Sequence, residues 1–390
     1  MSKSLMSVLR RELHIIAHSP FYYLFTFILP IISFLIMYAI FYQEIPRDLP
    51  VIICNHDHSE LSRQIIRFTE SSPSLRVGII TPNFNEGAQW LREGRAYALL
   101  YIPKNLEQKL KANKPESVVI YYNNQWMLTS SLISRALREV IGKITYQEEF
   151  LFRSQRGEPI RNIPKYSTPV LLDAQPLYNP NLNYRFFLLP ALLPTMMQAF
   201  IIMVMIRAFG SELKHGTVKE FMEKAGGNYW IAIIGKSLPY TVGFTALTLF
   251  MLTLLVYGAN VPFKGSLSFV ITSSVLFVLA YQSIGFAFVS LTSNLRMANS
   301  LGGFYAGPAF AFAGITYPVI GMPLSAKTWS YSLPITHYLK IVLEQVIQGV
   351  PTWVSVPNML ILFAFFFFPL ILFAPKWERF AKSPEYWGKI

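Results

Sequence analysis

The chain has 390 residues, 53% of them hydrophobic and only 14% charged, against roughly 25% charged residues in an ordinary soluble domain. The deficit is gathered into long charge-free blocks, which excludes a soluble globular protein. The net charge of +13 lies between those blocks, which makes it a membrane-orientation signal rather than a nucleic-acid footprint.

Residues 1–20 predict a cytoplasmic amphipathic helix. Leu5, Val8, Leu9, Leu13 and Ile16 recur at helical spacing, with Arg10, Arg11 and Glu12 interleaved. Such a helix lies along the inner membrane interface. Pro20 then opens the first apolar run, residues 21–43. This run is too long for a signal peptide and no small-residue cleavage site follows it, so it reads as an uncleaved first span.

Residues 44–183 have soluble composition and an alternating pattern. Strands are expected at Pro50–Cys54, Arg76–Thr81, Tyr97–Ile102 and Ser117–Tyr122. Helices are expected at Ser59–Ser71, Glu86–Glu93, Leu106–Ala112 and Thr129–Arg153. That order implies an extracytoplasmic α/β domain inserted between the first two spans. Cys54, alone in the chain, excludes an internal disulfide and reads as a small strand residue. Asn55-His56-Asp57-His58 has metal-capable side chains, but its place before a helix favours Asp57 or Ser59 as a cap. From Gln155 to Tyr184, Pro159, Pro164, Pro169, Pro176 and Pro180 suggest an extended return to the membrane.

Five more charge-free runs follow: Phe186–Ile206, Ser237–Phe263, Gly265–Leu295, Met297–Ala326 and Gln345–Pro375. Each reaches the roughly 20 residues that a spanning helix needs. The expected fold is therefore mainly α, a polytopic protein with six transmembrane helices and the inserted α/β domain. Residues 184–375 would hold the second to sixth spans, with a cytoplasmic segment at 209–228 and a cytoplasmic tail at 376–390. Pro308, Pro318 and Pro323 interrupt the fifth run, whose outer end should bend within the bundle. Short half-inserted helices are expected at 323–353, where Trp329, Tyr331, Tyr338 and Trp353 suit a headgroup boundary. With a cytoplasmic N-terminus, thirteen Lys and Arg lie inside or at the inner boundary, among them Arg207, Lys214, Lys219, Lys224, Lys236 and Arg296. In the short segments flanking the spans, the inserted domain aside, only Arg185, Lys264, Lys327 and Lys340 lie outside.

Reaction chemistry is hard to find. Gly235-Lys236-Ser237 has the ending of a phosphate-binding loop, but the required earlier glycine is Trp230 and the surroundings are an apolar helix. Lys236 is therefore expected to snorkel to the inner interface. His14 and His18 lack the following Glu of a zinc protease, and no Gly-x-Ser-x-Gly elbow occurs. No Asp or Glu lies inside any run, which argues against proton coupling. Lys340 and Glu344 read as an interfacial i,i+4 pair.

The cytoplasmic segment holds Glu212, Gly216, Thr217 and Glu220. This resembles the Glu-x-x-x-Gly-Thr-x-Glu signature of ABC-2 type permeases, with Lys219 at the last position and Glu220 one residue later. Phe221-Met222 replaces the usual leucines, and Glu223-Lys224-Ala225-Gly226 replaces a Thr/Ser-Pro ending. Three further stretches are similar to the family: Arg10-Arg11-Glu12 with Ser19-Pro20, Gly314-Ile315-Thr316-Tyr317-Pro318 through Met322-Pro323, and Leu333-Pro334-Ile335-Thr336-His337-Tyr338. The large domain after the first span fits the subgroup of drug and lipid exporters.

The resemblance implies an exporter permease in the bacterial inner membrane, without a nucleotide site of its own. It would pair with itself or a related permease and bind a cytoplasmic ATPase that holds ATP and Mg2+, with a periplasmic adaptor as a further expected partner and no nucleic acid. Arg11, Glu12, Glu212, Gly216, Thr217 and Glu220 would couple to the ATPase. Gly216-Thr217 permits a tight turn opening a helix, and Glu212 and Glu220 would offer charge to a partner. Pro318, Pro323, Pro334, His337 and Tyr338 would belong to an outer gate. The apolar, aromatic interior suits a lipidic or amphipathic substrate. The competing readings are a membrane-anchored receptor or assembly protein, an ion-coupled transporter and a membrane enzyme.

Overall fold

The computed structural model describes residues 2–112, 114, 116–155 and 177–388. The chain divides into two compact units, residues 43–183 and residues 1–42 with 184–390. Most of the proline-rich return expected at 155–184 lies outside the described residues.

In residues 43–183, four strands form one sheet in the order β2-β1-β3-β4. They are β1 (Leu49–Asn55), β2 (Leu75–Thr81), β3 (Ala98–Ile102) and β4 (Val119–Tyr122). β1 is parallel to β2 and β3, and β4 runs antiparallel to β3. Alternation along the strands feeds two cores. Val51, Ile53 and Leu100 pack with Leu61 and Ile65 of helix Glu60–Glu70 and with Ile133 and Leu137 of helix Met127–Gln155. Ile52, Cys54 and Leu99 face Phe84 and Trp90 of helix Phe84–Arg92. The central strands are therefore apolar on both faces, as parallel strands covered by helices must be. Ser59 caps helix Glu60–Glu70 by accepting from Ser62 N, and Asp57 Oδ2 accepts from Ser59 Oγ at 2.6 Å and Glu107 N at 3.3 Å. The expected capping role thus falls to Ser59. Among the described residues no three His, Cys, Asp or Glu side chains gather as a metal site would require.

The other unit is helical. Among the described residues, five helices are long and apolar enough to cross a membrane: Pro20–Ile40, Tyr184–His215, Tyr229–Gly258, Leu267–Thr292 and Thr352–Lys382. Pro30 cannot donate to the carbonyl four residues back, and the turn before it widens to π geometry at Leu24–Ile28. Helices Tyr184–His215 and Leu267–Thr292 approach closely at Gly285. A Cβ there would meet Met205 Cβ at 2.9 Å and Ile202 O at 3.1 Å.

The run Met297–Ala326, expected as one bent span, is not one helix. Helix Leu295–Ala306 gives way at Gly307-Pro308 to Ala309–Phe312, and a 3-10 turn Val319–Gly321 precedes helix Leu324–Tyr331. Pro308, Gly314 (φ +85°) and Pro318 punctuate it, each removing an amide donor or turning the chain. Helix Pro334–Val342 and a π turn, Leu343–Gln348, lead to the last long helix.

Candidate functional site: a buried charge cluster at a glycine hinge

The long helix Tyr184–His215 stops at Gly216, whose φ of +68° suits glycine. Thr217 N donates to Glu212 O at 3.1 Å and Gly216 N to Leu213 O at 3.4 Å, the paired bonds of a Schellman ending. A Cβ at Gly216 would meet nothing within 4 Å, so glycine is required there by backbone angle and not by space. The short helix Val218–Lys224 ends the same way. Gly226 N donates to Glu223 O and Gly227 N to Met222 O, both at 2.9 Å. Asn228 then caps the next helix through Trp230 N and Ile231 N. Two glycine-terminated helices thus fold residues 212–228 into a compact hinge.

The N-terminal helix Ser2–His18 packs onto this hinge. Ser7 Oγ donates to Lys224 O at 2.7 Å, one of the carbonyls left unpaired at the end of the short helix. A Cβ at Gly235 would lie 2.8 Å from Val8 Cγ1, so the helix crosses Tyr229–Thr253 nearly backbone to side chain. Gly235 serves this crossing, in a sequence that superficially suggests a phosphate loop.

The crossing places four charges together. Arg11 grips Glu212 with two bonds, Nη1 to Oε1 at 2.6 Å and Nη2 to Oε2 at 3.0 Å. Lys236 Nζ lies 2.7 Å from Glu12 Oε2 and 2.8 Å from Glu212 Oε1. Tyr240 donates to Glu12 Oε1 at 2.9 Å, and Thr217 Oγ1 donates to Glu212 Oε2. Glu12, Glu212 and Lys236 are 0%, 3% and 1% exposed. The group is neutral, two cations against two carboxylates, and its carboxylate oxygens are met by donors from two helices and the turn. Only such completeness makes burying these charges tolerable. The Phe221 ring closes the cluster, its centroid 5.4 Å from Arg11 Cζ and 5.0 Å from Lys236 Nζ. Burial opposes the charge on Arg11, but the bonds and charge of Glu212 outweigh it and raise its pKa.

Three expectations are corrected here. Lys236 does not snorkel: Glu12 and Glu212 hold it inside, so it leaves the tally of boundary cations. Glu212 offers no charge outward, since both its oxygens are engaged by Arg11, Lys236 and Thr217. Thr217 does not cap the helix it opens with its side chain, because its hydroxyl is turned back to Glu212. Glu220 is different. It is 57% exposed, and the hydrogen bond from Lys224, 2.7 Å, holds its carboxyl below the usual range. Its distance to Arg11 Nε is 4.0 Å, at the edge of the cluster.

The remaining expected residues are elsewhere in this unit. Pro318 and Pro323 are exposed and precede the 3-10 turn Val319–Gly321 and helix Leu324–Tyr331. Pro334 starts helix Pro334–Val342 at a position where its missing amide costs nothing. Tyr338 is buried, stacked on Phe277 at 4.2 Å, with its hydroxyl 2.9 Å from Ser274 Oγ. His337 Nδ1 lies 3.2 Å from Asn358 Oδ1 and Nε2 3.1 Å from Tyr331 O. Lys340 and Glu344 form the expected i,i+4 pair at 4.0 Å, with Lys340 exposed. Glu344 is nearly buried and accepts from Ser355 Oγ at 2.6 Å.

Sequence comparison agrees with the geometry. Residues 20–374 match the family described as ABC-2 family transporter protein. The chain is 23% identical over 339 residues to the probable multidrug ABC transporter permease YbhR of Escherichia coli K12, covering 86% of this chain and 88% of that protein. The YbhR protein of Escherichia coli O157:H7 matches equally. The chain belongs to the ABC-2 family of transporter proteins, as a multi-pass membrane permease.

Proposed function

We propose that this permease is the membrane half of an ATP-driven exporter and that the hinge at residues 212–228 receives the stroke of a separate cytoplasmic ATPase. The supporting observation is the neutral cluster of Arg11, Glu12, Glu212 and Lys236. It ties the N-terminal helix, the hinge and the helix Tyr229–Thr253 into one body. A push on the exposed face around Lys219, Glu220 and Glu223 would then move that helix instead of bending a loop. Buried, fully paired charges resist shear because separating any pair strands a charge in a poor solvent.

In this reading both termini and the hinge are cytoplasmic, the protein lies in the bacterial inner membrane, and residues 43–183 are the extracytoplasmic domain. The broken segment Leu295–Tyr331 supplies a sixth crossing with a bent outer end. Two copies, or one copy and a related permease, form the path. ATP and Mg2+ belong to the ATPase, whose two nucleotide states must bind the permease unequally for the free energy to enter. The YbhR proteins carry the name multidrug permease. The aromatic bundle here, with no carboxylate at mid-span, favours an amphipathic or lipidic cargo.

The test is affinity purification of the tagged permease from its own membranes. An ATP-binding-cassette subunit should co-purify with the native chain and be lost with Glu220→Lys while the permease stays folded. Absence of any such subunit from the native preparation would overturn the proposal.

A further inference from the structure

The last long helix carries a polar side chain for which the mechanism above has no use. Asn358 is 7% exposed and turns one atom of its amide to His337 Nδ1, 3.2 Å away, while Nε2 of that ring, 4% exposed as a residue, faces Tyr331 O at 3.1 Å. The amide has two polar atoms and one ring nitrogen to meet, so one of the two is left over beside the slot. Asn358 and His337 form the polar end of a cavity of about 480 Å³ whose other walls are Tyr331, Ile361, Ala364, Phe365, Phe368 and Pro369. The cavity opens sideways between helix Thr352–Lys382 and the segment Tyr331–His337. Its outer wall, with Phe368 67% and Ile361 37% exposed, belongs to a helix apolar enough to span the bilayer, so the solvent at its mouth is hydrocarbon. Pro369 cannot donate to the Phe365 carbonyl, which leaves a backbone acceptor without its helical donor along the same wall.

Position fixes the depth. From Asn358 to Pro369 the helix rises about 16 Å at ~1.5 Å per residue, about one leaflet of a ~30 Å hydrocarbon core. The opposite end of the helix is marked by Trp377, packed edge-on against Phe209 and Phe221 beside the charge cluster. The cavity therefore belongs to the leaflet away from that cluster. An amide atom left over at the head of an aromatic slot one leaflet long suits an acyl chain ending in a small polar head, such as a glycerol ester or a carboxyl group. A polar group at this depth without a partner costs free energy that such a head would recover.

We infer that this cavity is a lateral binding site for an acyl-chain amphipath, its head on Asn358 and its chain along Ile361, Phe365 and Phe368. It rests on the exporter reading in one respect only: there, the site faces the leaflet that receives cargo. Asn358 is a specificity residue for the head, and His337 positions its amide.

Two probes test it on the full-length permease in nanodiscs, without ATPase or nucleotide: phosphatidylglycerol with a diazirine in its acyl chain, and diazirine palmitic acid. Labelling should concentrate on the peptide holding residues 358–369 with at least one probe, and the probe that labels identifies the source of the acyl chain. Asn358→Leu should lower it about tenfold, the effect of one lost buried hydrogen bond. Ala364→Trp, which fills the slot and leaves the amide alone, should lower it as much. Labelling elsewhere on the chain reports that the variants are folded. Equal labelling of the native chain and both variants overturns the site, as does labelling no denser than on Pro20–Ile40. Loss with Ala364→Trp alone overturns the role of Asn358. Because no ATPase is present, failure here leaves the co-purification result untouched, and a missing ATPase leaves this one standing.

Discussion

The Lys236 ammonium lies 2.7 Å from the Glu12 carboxylate, joining residues 224 positions apart in the sequence. Glu12 is on the N-terminal helix and Lys236 is about two turns into the long apolar helix Tyr229–Thr253, so the pair links the two directly. Removing the cation alone leaves two buried carboxylates facing one arginine. Lys236→Met should therefore lower stability by about 3–5 kcal/mol. Adding Glu12→Gln restores neutrality and should recover much of the loss. Thermal melting of the detergent-solubilised permease reads both. A double variant no more stable than Lys236→Met would mean that the cluster does not act as a balanced unit.

Glu212 and Glu220 belong to one sequence motif but not to one environment. Glu212→Gln disturbs bonds to Arg11, Lys236 and Thr217 and should destabilise the fold. Glu220→Lys alters an exposed i,i+4 pair with Lys224, worth well under ~1 kcal/mol. Melting temperatures should separate the two, with Glu220→Lys close to the native chain. Partner binding should not follow that order, since Glu220 is the residue presented outward. A Glu220→Lys chain that melts far below native would place Glu220 in the structural cluster instead.

Much of this was legible in sequence, for reasons visible in particular residues. The apolar run Val51-Ile52-Ile53-Cys54, bounded by Pro50 and Asn55, can only be a strand covered on both faces. Glu212-x-x-x-Gly216-Thr217 identified the hinge because a left-handed glycine is written in the sequence directly. Lys236 was not legible. A lysine near the end of an apolar run has two outcomes, reaching water or meeting buried carboxylates, and the choice depends on Glu12 and Glu212 arriving from 224 and 24 residues away. The run Met297–Ala326 was legible only in part, in its proline interruptions, for a different reason. Hydropathy counts apolar side chains, whereas the helix there is ended by backbone, at Gly307-Pro308 and again at Gly314.

The contact between the N-terminal helix and the hinge gives a direct geometric prediction. Ser7 Oγ reaches Lys224 O at 2.7 Å, so cysteines at 7 and 224 should be joined by a short bis-maleimide. The native Cys54 is buried and should stay unreactive. Gly235→Leu puts side-chain atoms where Val8 now lies, 2.8 Å from a Cβ at that position, and should abolish the cross-link by lifting the helix. Persistence of the cross-link in Gly235→Leu would show that the helix docks without the close crossing at Gly235.

Gly216 tests the hinge by backbone alone. Nothing lies within 4 Å of a Cβ built there, so Gly216→Ala introduces no clash and acts only through φ, now +68°. Holding an L-residue in that region costs about 1–2 kcal/mol. The chain can meet that cost or abandon the turn, and abandoning it breaks the bond from Thr217 N to Glu212 O and draws the Thr217 hydroxyl away from the cluster. Gly216→Asn, which tolerates left-handed backbone better, should therefore lie between glycine and alanine in melting temperature. The order Gly, Asn, Ala is the signature of a backbone requirement. If Asn and Ala were equally damaging, the cause would be the added side chain and not the turn, and the hinge would owe its shape to packing instead.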